Sequence, residues 1–171
     1  MTIIKKPIRT FKKSNGLSIS EYFGLEKKCL ELINKNYKCI CKKRRNHFPS
    51  IIRCDTIRHE FELSDQGTSI DKMILYRKKI YIRDVDEQID CILDNLNRNG
   101  IKHLDLHDSG KNVCIANDNT ISVIDFDVAS IGPTYLSKTL QIRADRYGND
   151  YKSYLLTAKI KIQDMVRKVT I

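Results

Sequence analysis

The chain has 171 residues, of which 41% are hydrophobic and 30% charged, with 7 glycines and 3 prolines. That length and balance suit one folded unit and exclude collagen-like, low-complexity and largely disordered chains. No apolar run nears the roughly 20 residues of a membrane helix and the opening residues do not read as a secretory leader, so a cytoplasmic protein is expected; the formal net charge of +10 favours an anionic partner without specifying which.

In chain order, the first element with a complete signature lies over residues 19–36. Ser18 and Glu21 have the spacing of a capping box, and Tyr22, Leu25, Cys29, Leu30, Leu32 and Ile33 recur at helical intervals. Ile51–Asp55 and Glu60–Leu63 are short, apolar or alternating segments divided by a polar break, which predicts two adjacent strands, with Gly67 ending the second. Asp84 and Glu87 head a second helix whose stripe is Ile89, Ile92, Leu93 and Leu96 and whose stop is Gly100. Val113–Ala116 and Ile121–Ile124 flank the turn formers Asn117, Asp118 and Asn119, a hairpin pattern, and residues 151–169 predict a final helix. No repeat and no Gly/Ser or Pro-rich linker divides the chain. The six cysteines (Cys29, Cys39, Cys41, Cys54, Cys91, Cys114) are scattered, and without a leader they predict reduced thiols rather than a disulfide framework.

Chemistry concentrates in His103-Leu104-Asp105-Leu106-His107, in Asn112, and in Ile124-Asp125-Phe126-Asp127. A helix, a polar loop, a hairpin and a carboxylate at the hairpin's end bring Asp105, Asn112 and Asp125 toward one point. Such a set suits Mg²⁺, which takes oxygen ligands from one or two carboxylates, phosphates and water. Asp105 would orient or deprotonate an acceptor hydroxyl.

This ordered set resembles the protein-kinase-like superfamily, and within it the aminoglycoside phosphotransferase, choline kinase and lipopolysaccharide sugar kinase branch. His107 and Asp127 stand where protein kinases usually carry Lys and the Gly of Asp-Phe-Gly. The resemblance implies an α+β, reduced protein-kinase-like fold as a single domain over residues 1–171. A small antiparallel sheet and one helix would occupy about 1–66, and a truncated, mainly helical lobe about 67–171. It implies an ATP- and Mg²⁺-dependent phosphotransferase acting on a hydroxyl of a small molecule or sugar, with Asp105 catalytic and Asn112 and Asp125 on the metal. Thr2–Lys5 resembles the strand with the phosphate lysine, so Lys5, with Lys6 as competitor, would pair with Glu26 on the first helix. Backbone from Leu63 through Asp65 to Gln66 would hold the adenine edge. His103 and His107 would shape the loop, and Asp127 is either a second metal ligand or a solvated turn residue.

Two departures from the family pattern stand out. Asn112 follows Asp105 by seven positions, where protein kinases have five. No Gly-x-Gly-x-x-Gly occurs, so phosphate contacts would come from another chain, a neighbouring subunit or the basic amino terminus. These departures motivate the alternative of a non-catalytic kinase-like binding or regulatory module. A third reading, nucleic-acid binding, would rest on the run Lys42–Arg45 with Lys5, Lys6, Lys12, Lys13, Arg77, Lys78 and Lys79; Tyr and Phe do not interleave with these as a stacking platform requires, so a solvated loop is the expectation. Cys39, Cys41, His47, Cys54 and His59 offer ligands for zinc, but their spacing matches no paired-knuckle pattern, and the resemblance accounts for the region as loop and strand.

Overall fold

The computed structural model describes residues 3–7, 17–133, 138–148 and 150–171, with backbone alone for 3–7 and for Thr139. The side chains of Lys5 and Lys6, and Lys12 and Lys13 entirely, lie outside the described residues.

The amino-terminal part is a three-stranded antiparallel sheet with a helix against it. Strand β1 (Ile3–Pro7) precedes helix α1 (Ile19–Asn36), followed by β2 (Ile51–Asp55) and β3 (Glu60–Ser64), and the sheet order is β1-β3-β2. The capping box forms as its spacing predicts: Glu21 N–H donates to Ser18 Oγ at 3.2 Å, and Ser18 N–H donates to Glu21 Oε2 at 2.6 Å. Helix α1 buries Phe23, Leu25, Cys29, Leu30 and Ile33, and Phe23 stacks on Phe61 of β3 with ring centroids 4.4 Å apart. Glu26 is also fully buried on this face.

The remainder is mainly helical, with two small sheets set into it. Gly67, at φ +93°, brings β4 (Thr68–Ser69) so close to the hairpin that a Cβ there would lie 2.3 Å from the carbonyl oxygen of Ile115. Helix α2 (Ile70–Leu75) follows, then α3 (Val85–Arg98), β5 (Ile101–Lys102), the hairpin β6 (Val113–Ile115) and β7 (Ile121–Val123), β8 (Ser130–Ile131), α4 (Lys138–Asp145) and α5 (Tyr151–Arg167). The sheets run β4-β6-β7 and β5-β8. All four residues of the predicted α3 stripe are buried. Asp84 departs from its expected role, since its carboxylate accepts from Gln88 Nε2 and pairs with Lys43 Nζ instead of capping backbone N–H groups. At the hairpin, Asn119 adopts φ 61°, a left-handed conformation that Asn tolerates.

Helix α5 packs along α3 through Tyr154, Ala158, Ile162, Met165 and Val166, and one hydrophobic core runs from Leu17 to Val169. Ile80 forms a parallel bridge with Thr170, tying the carboxy-terminal residues to the segment after α2. Among the described residues no helix is long and apolar enough to cross a membrane.

Candidate active site

The loop between β5 and β6 carries Asp105, and buried groups fix its shape. His103 is fully buried. Its Nε2 lies 2.8 Å from the carbonyl oxygen of Ile124, and the backbone N–H of Asp105 donates to its Nδ1 at 3.3 Å. Because that N–H requires a bare Nδ1, the ring proton sits on Nε2 and is donated to Ile124. The backbone N–H of His103 donates to Tyr154 Oη at 2.6 Å, and the ring meets Phe126 edge-on at 4.7 Å. His103 therefore links three elements and braces the loop, as the sequence predicts.

Between Asp105 and Asn112 the chain bulges in two tight turns, His107 N–H to Asp105 O at 2.9 Å and Gly110 N–H to His107 O at 3.0 Å. Gly110 has φ +75°, and a Cβ there would lie 2.7 Å from Ile70 Cγ2. The bulge takes up the residues between them, and Asn112 returns to Asp105. Its Nδ2 donates to the Asp105 carbonyl at 2.8 Å and to Asp105 Oδ2 at 2.9 Å. Both bonds use the amide nitrogen, so neither occupies Oδ1 of Asn112. The backbone of Asn112 accepts from Ile124 N–H at 3.0 Å, so one residue joins the Asp105 loop to the strand end that leads into Asp125.

Asp125 itself has φ 72°. A left-handed non-glycine residue costs energy and persists only where its surroundings hold it. One such restraint is on the next residue: Glu26 Oε1 accepts from the backbone N–H of Phe126 at 3.3 Å, and Phe126 is fully buried. Helix α1 thus reaches the turn through a buried carboxylate. The second carboxylate of that motif, Asp127, is half-buried. Among the described residues, Asp105, Asp125 and Asp127 do not close into a three-carboxylate cluster with ligand atoms within 4.8 Å of one another. A Mg²⁺ site of one carboxylate and one amide, completed by phosphate and water, needs no such cluster.

The other face of Asp105 opens on a cleft of about 240 Å³, lined by Asp105, His107, Asp108, Arg143, Arg146 and Lys161 among others. Arg143 Nη1 contacts Asp105 Oδ1 at 2.8 Å, and Lys161 Nζ contacts Asp108 Oδ1 at 3.2 Å. The Lys161 hydrogen bond holds the Asp108 carboxyl below its ordinary value of 3.8, so it stays ionised at neutral pH. Tyr147 Oη donates to the Leu106 carbonyl at 3.2 Å; burial pushes this phenol up to about 12, which keeps it a donor. Sequence reasoning missed Arg143, Arg146, Tyr147 and Lys161, which lie beyond the motif and carry no signature of their own.

Of the expected nucleotide residues, Leu63 lies in the central strand β3, in register with Ile4 on one side and Ile51 on the other. Asp65 Oδ1 accepts from Gly67 N–H at 2.8 Å, and its carbonyl accepts from Arg45 Nη1 at 2.8 Å. The backbone of Lys5 is in register with Glu62, while its expected ion pair with Glu26 lies outside the described residues. Comparison with protein-family models and with curated proteins gave no match.

Proposed function

We propose that the chain is an ATP- and Mg²⁺-dependent phosphotransferase with a reduced protein-kinase-like fold, acting on a hydroxyl of a small molecule or sugar. The observation that carries this reading is the double attachment of Asn112, whose side chain holds Asp105 while its backbone holds Ile124, one residue before Asp125. On this reading Asp105 orients the acceptor hydroxyl and takes its proton. Asn112 Oδ1 and Asp125 would hold Mg²⁺, which when bound neutralises charge on the transferred phosphoryl group. Glu26 keeps the Asp125 turn in shape through Phe126, and the backbone from Leu63 to Gln66 faces the nucleotide base. Lys5 contacts phosphate, assisted by other amino-terminal residues or by a partner chain in place of a glycine-rich loop. The cleft beside Asp105, about 240 Å³ and lined by both acidic and basic side chains, suits a small polar acceptor. Six free thiols and the need for ATP are in keeping with a cytoplasmic location.

One observation favours the alternative of a non-catalytic kinase-like module. Both oxygens of Asp105 are engaged, Oδ1 by Arg143 and Oδ2 by Asn112. Titration calorimetry of Mg-ATP into the wild type and Asp125→Ala separates the two readings. Saturable, Mg²⁺-dependent binding lost in Asp125→Ala supports the phosphotransferase and justifies an acceptor screen. No binding up to millimolar ATP sinks it in favour of the module.

A further inference from the structure

Helix α1 and β2 are joined by residues 37–50, a segment with no helix or strand. Connections of this length without secondary structure generally need something to hold them. Within it, Cys39, Cys41 and His47 meet Cys91 of α3, and one ligand atom from each of the four lies within 4.8 Å of the others. We propose that these residues form a structural Zn²⁺ site.

The chemistry of the donor set is specific. Three thiolates and one imidazole are the softer ligands that Zn²⁺ takes in closed, four-coordinate structural sites, unlike the oxygen ligands of Mg²⁺. Cys39 Sγ and Cys41 Sγ are 3.6 Å apart, and Cys41 Sγ is 3.0 Å from His47 Nε2. The corresponding edges of a zinc tetrahedron are about 3.8 and 3.6 Å, so small side-chain rotations bring the donors to ligand distance. The imidazole is already in the required tautomer. His47 Nδ1 lies 2.5 Å from the carbonyl oxygen of Ile121, an acceptor only, so the proton sits on Nδ1 and Nε2 presents its lone pair to the cluster. The backbone N–H of Ile40 donates to Cys91 Sγ at 3.4 Å, and Asn95 Nδ2 lies 3.8 Å from the same sulfur. Such outer contacts orient a metal-bound thiolate.

Burial and charge agree with this assignment. His47 and Cys91 are fully buried, while Cys39 and Cys41 are half-buried at the mouth. Binding releases three thiol protons and leaves a centre of net charge −1, since three thiolates outweigh one divalent ion. The run Lys42, Lys43, Arg44 and Arg45 lies immediately beside it in sequence and offsets that charge. Lys42, at φ 63°, turns the chain just after the Cys-x-Cys pair. Linear spacing concealed the site because its fourth ligand comes from α3. Cys54 is on β2, and His59 packs edge-on against Phe23 at 5.3 Å, so neither belongs to it.

The full chain, purified under reducing conditions without added chelator, tests the proposal by elemental analysis and by Co²⁺ substitution. About one zinc per chain, and the strong visible absorption of a tetrahedral cobalt thiolate, are expected. Cys91→Ser and His47→Gln should each lower metal affinity at least about ten-fold, while Cys54→Ser leaves it unchanged. Because these variants can fail to fold, thiol alkylation of the wild type provides an independent readout. Half-buried Cys39 and Cys41 should be protected until chelator is added, with Cys54 labelled in both conditions. A folded wild type without stoichiometric zinc, iron or copper in its place, full metal retention by Cys91→Ser, or labelling indifferent to chelator would each overturn the assignment. None of these readouts uses ATP, so they stand apart from the phosphotransferase reading.

Discussion

Asn112 shows how much a single side chain can organise. It is 6% exposed, donates twice to Asp105 and holds Ile124 through its backbone. Asn112→Ala should cost about 1–3 kcal/mol, measured by urea denaturation, because half-buried Asp105 loses the amide donor to its charged carboxylate, while its carbonyl keeps the His107 N–H. If the phosphotransferase reading holds, Asp105→Asn should lower turnover by about 10²- to 10⁴-fold in a coupled ADP assay while leaving Mg-ATP affinity largely intact. Glu21 offers a test of a different kind. The backbone N–H and then the hydroxyl of Ser18 hold its carboxyl below the ordinary 4.5. A lowered folded value means that the capping contribution is complete above 4.5 and disappears as pH falls through that lower value. Carbon-13 NMR titration should give a midpoint below 4.5, and one at or above it would contradict the capping box. Residue types and order single out Asp105, Asn112 and Asp125 in sequence, and of these the structure joins Asn112 to Asp105 by hydrogen bonds. The seven-residue spacing was harder to read, because only the turns at His107 and Gly110 show how the chain comes back to Asp105.

Elements long enough to display a period were legible: α1, α3, the β6–β7 hairpin and α5 fall close to their expected ranges. The two-residue strands β4, β5 and β8 were not, since they arise from tertiary pairing rather than local pattern, and neither was α4, whose eight residues are too few to display a period. Their contacts are nonetheless specific. Gly110 on the Asp105 loop lies against Ile70 at the start of α2, and Gly110→Ala combines a left-handed alanine with a steric clash. A loss of at least about 1–3 kcal/mol is expected from the backbone conformation alone. The crowding atoms are Cβ and Cγ2 of Ile70, both kept in valine, so adding Ile70→Val should not restore the lost stability. One buried link from α5 to the loop is a hydrogen bond from the backbone of His103 to Tyr154 Oη. Tyr154→Phe strands that buried N–H and should lower stability by about 1–3 kcal/mol in denaturant titration. An unchanged midpoint would show that the bond has no structural weight.

At the scale of the molecule, a single core from Leu17 to Val169 predicts one cooperative transition. Tyrosine fluorescence, from 8 tyrosines in a chain with no tryptophan, and far-UV circular dichroism should follow the same curve in urea. Two separated curves would mean that the amino-terminal sheet and the helical part unfold independently. The tie between His103 and Tyr154 spans 51 positions of sequence, and that between Leu106 and Tyr147 spans 41. During synthesis the whole motif through Asp127 is therefore polymerised before the tyrosines that brace it exist. At roughly 5–20 residues per second, the nascent chain spends a few seconds with every motif residue in place and the loop unsupported. A chain cut short after the motif carries every one of its residues yet lacks both tyrosine ties. It is the arrival of Tyr147 and Tyr154, rather than the appearance of the motif, that completes the bracing of this loop.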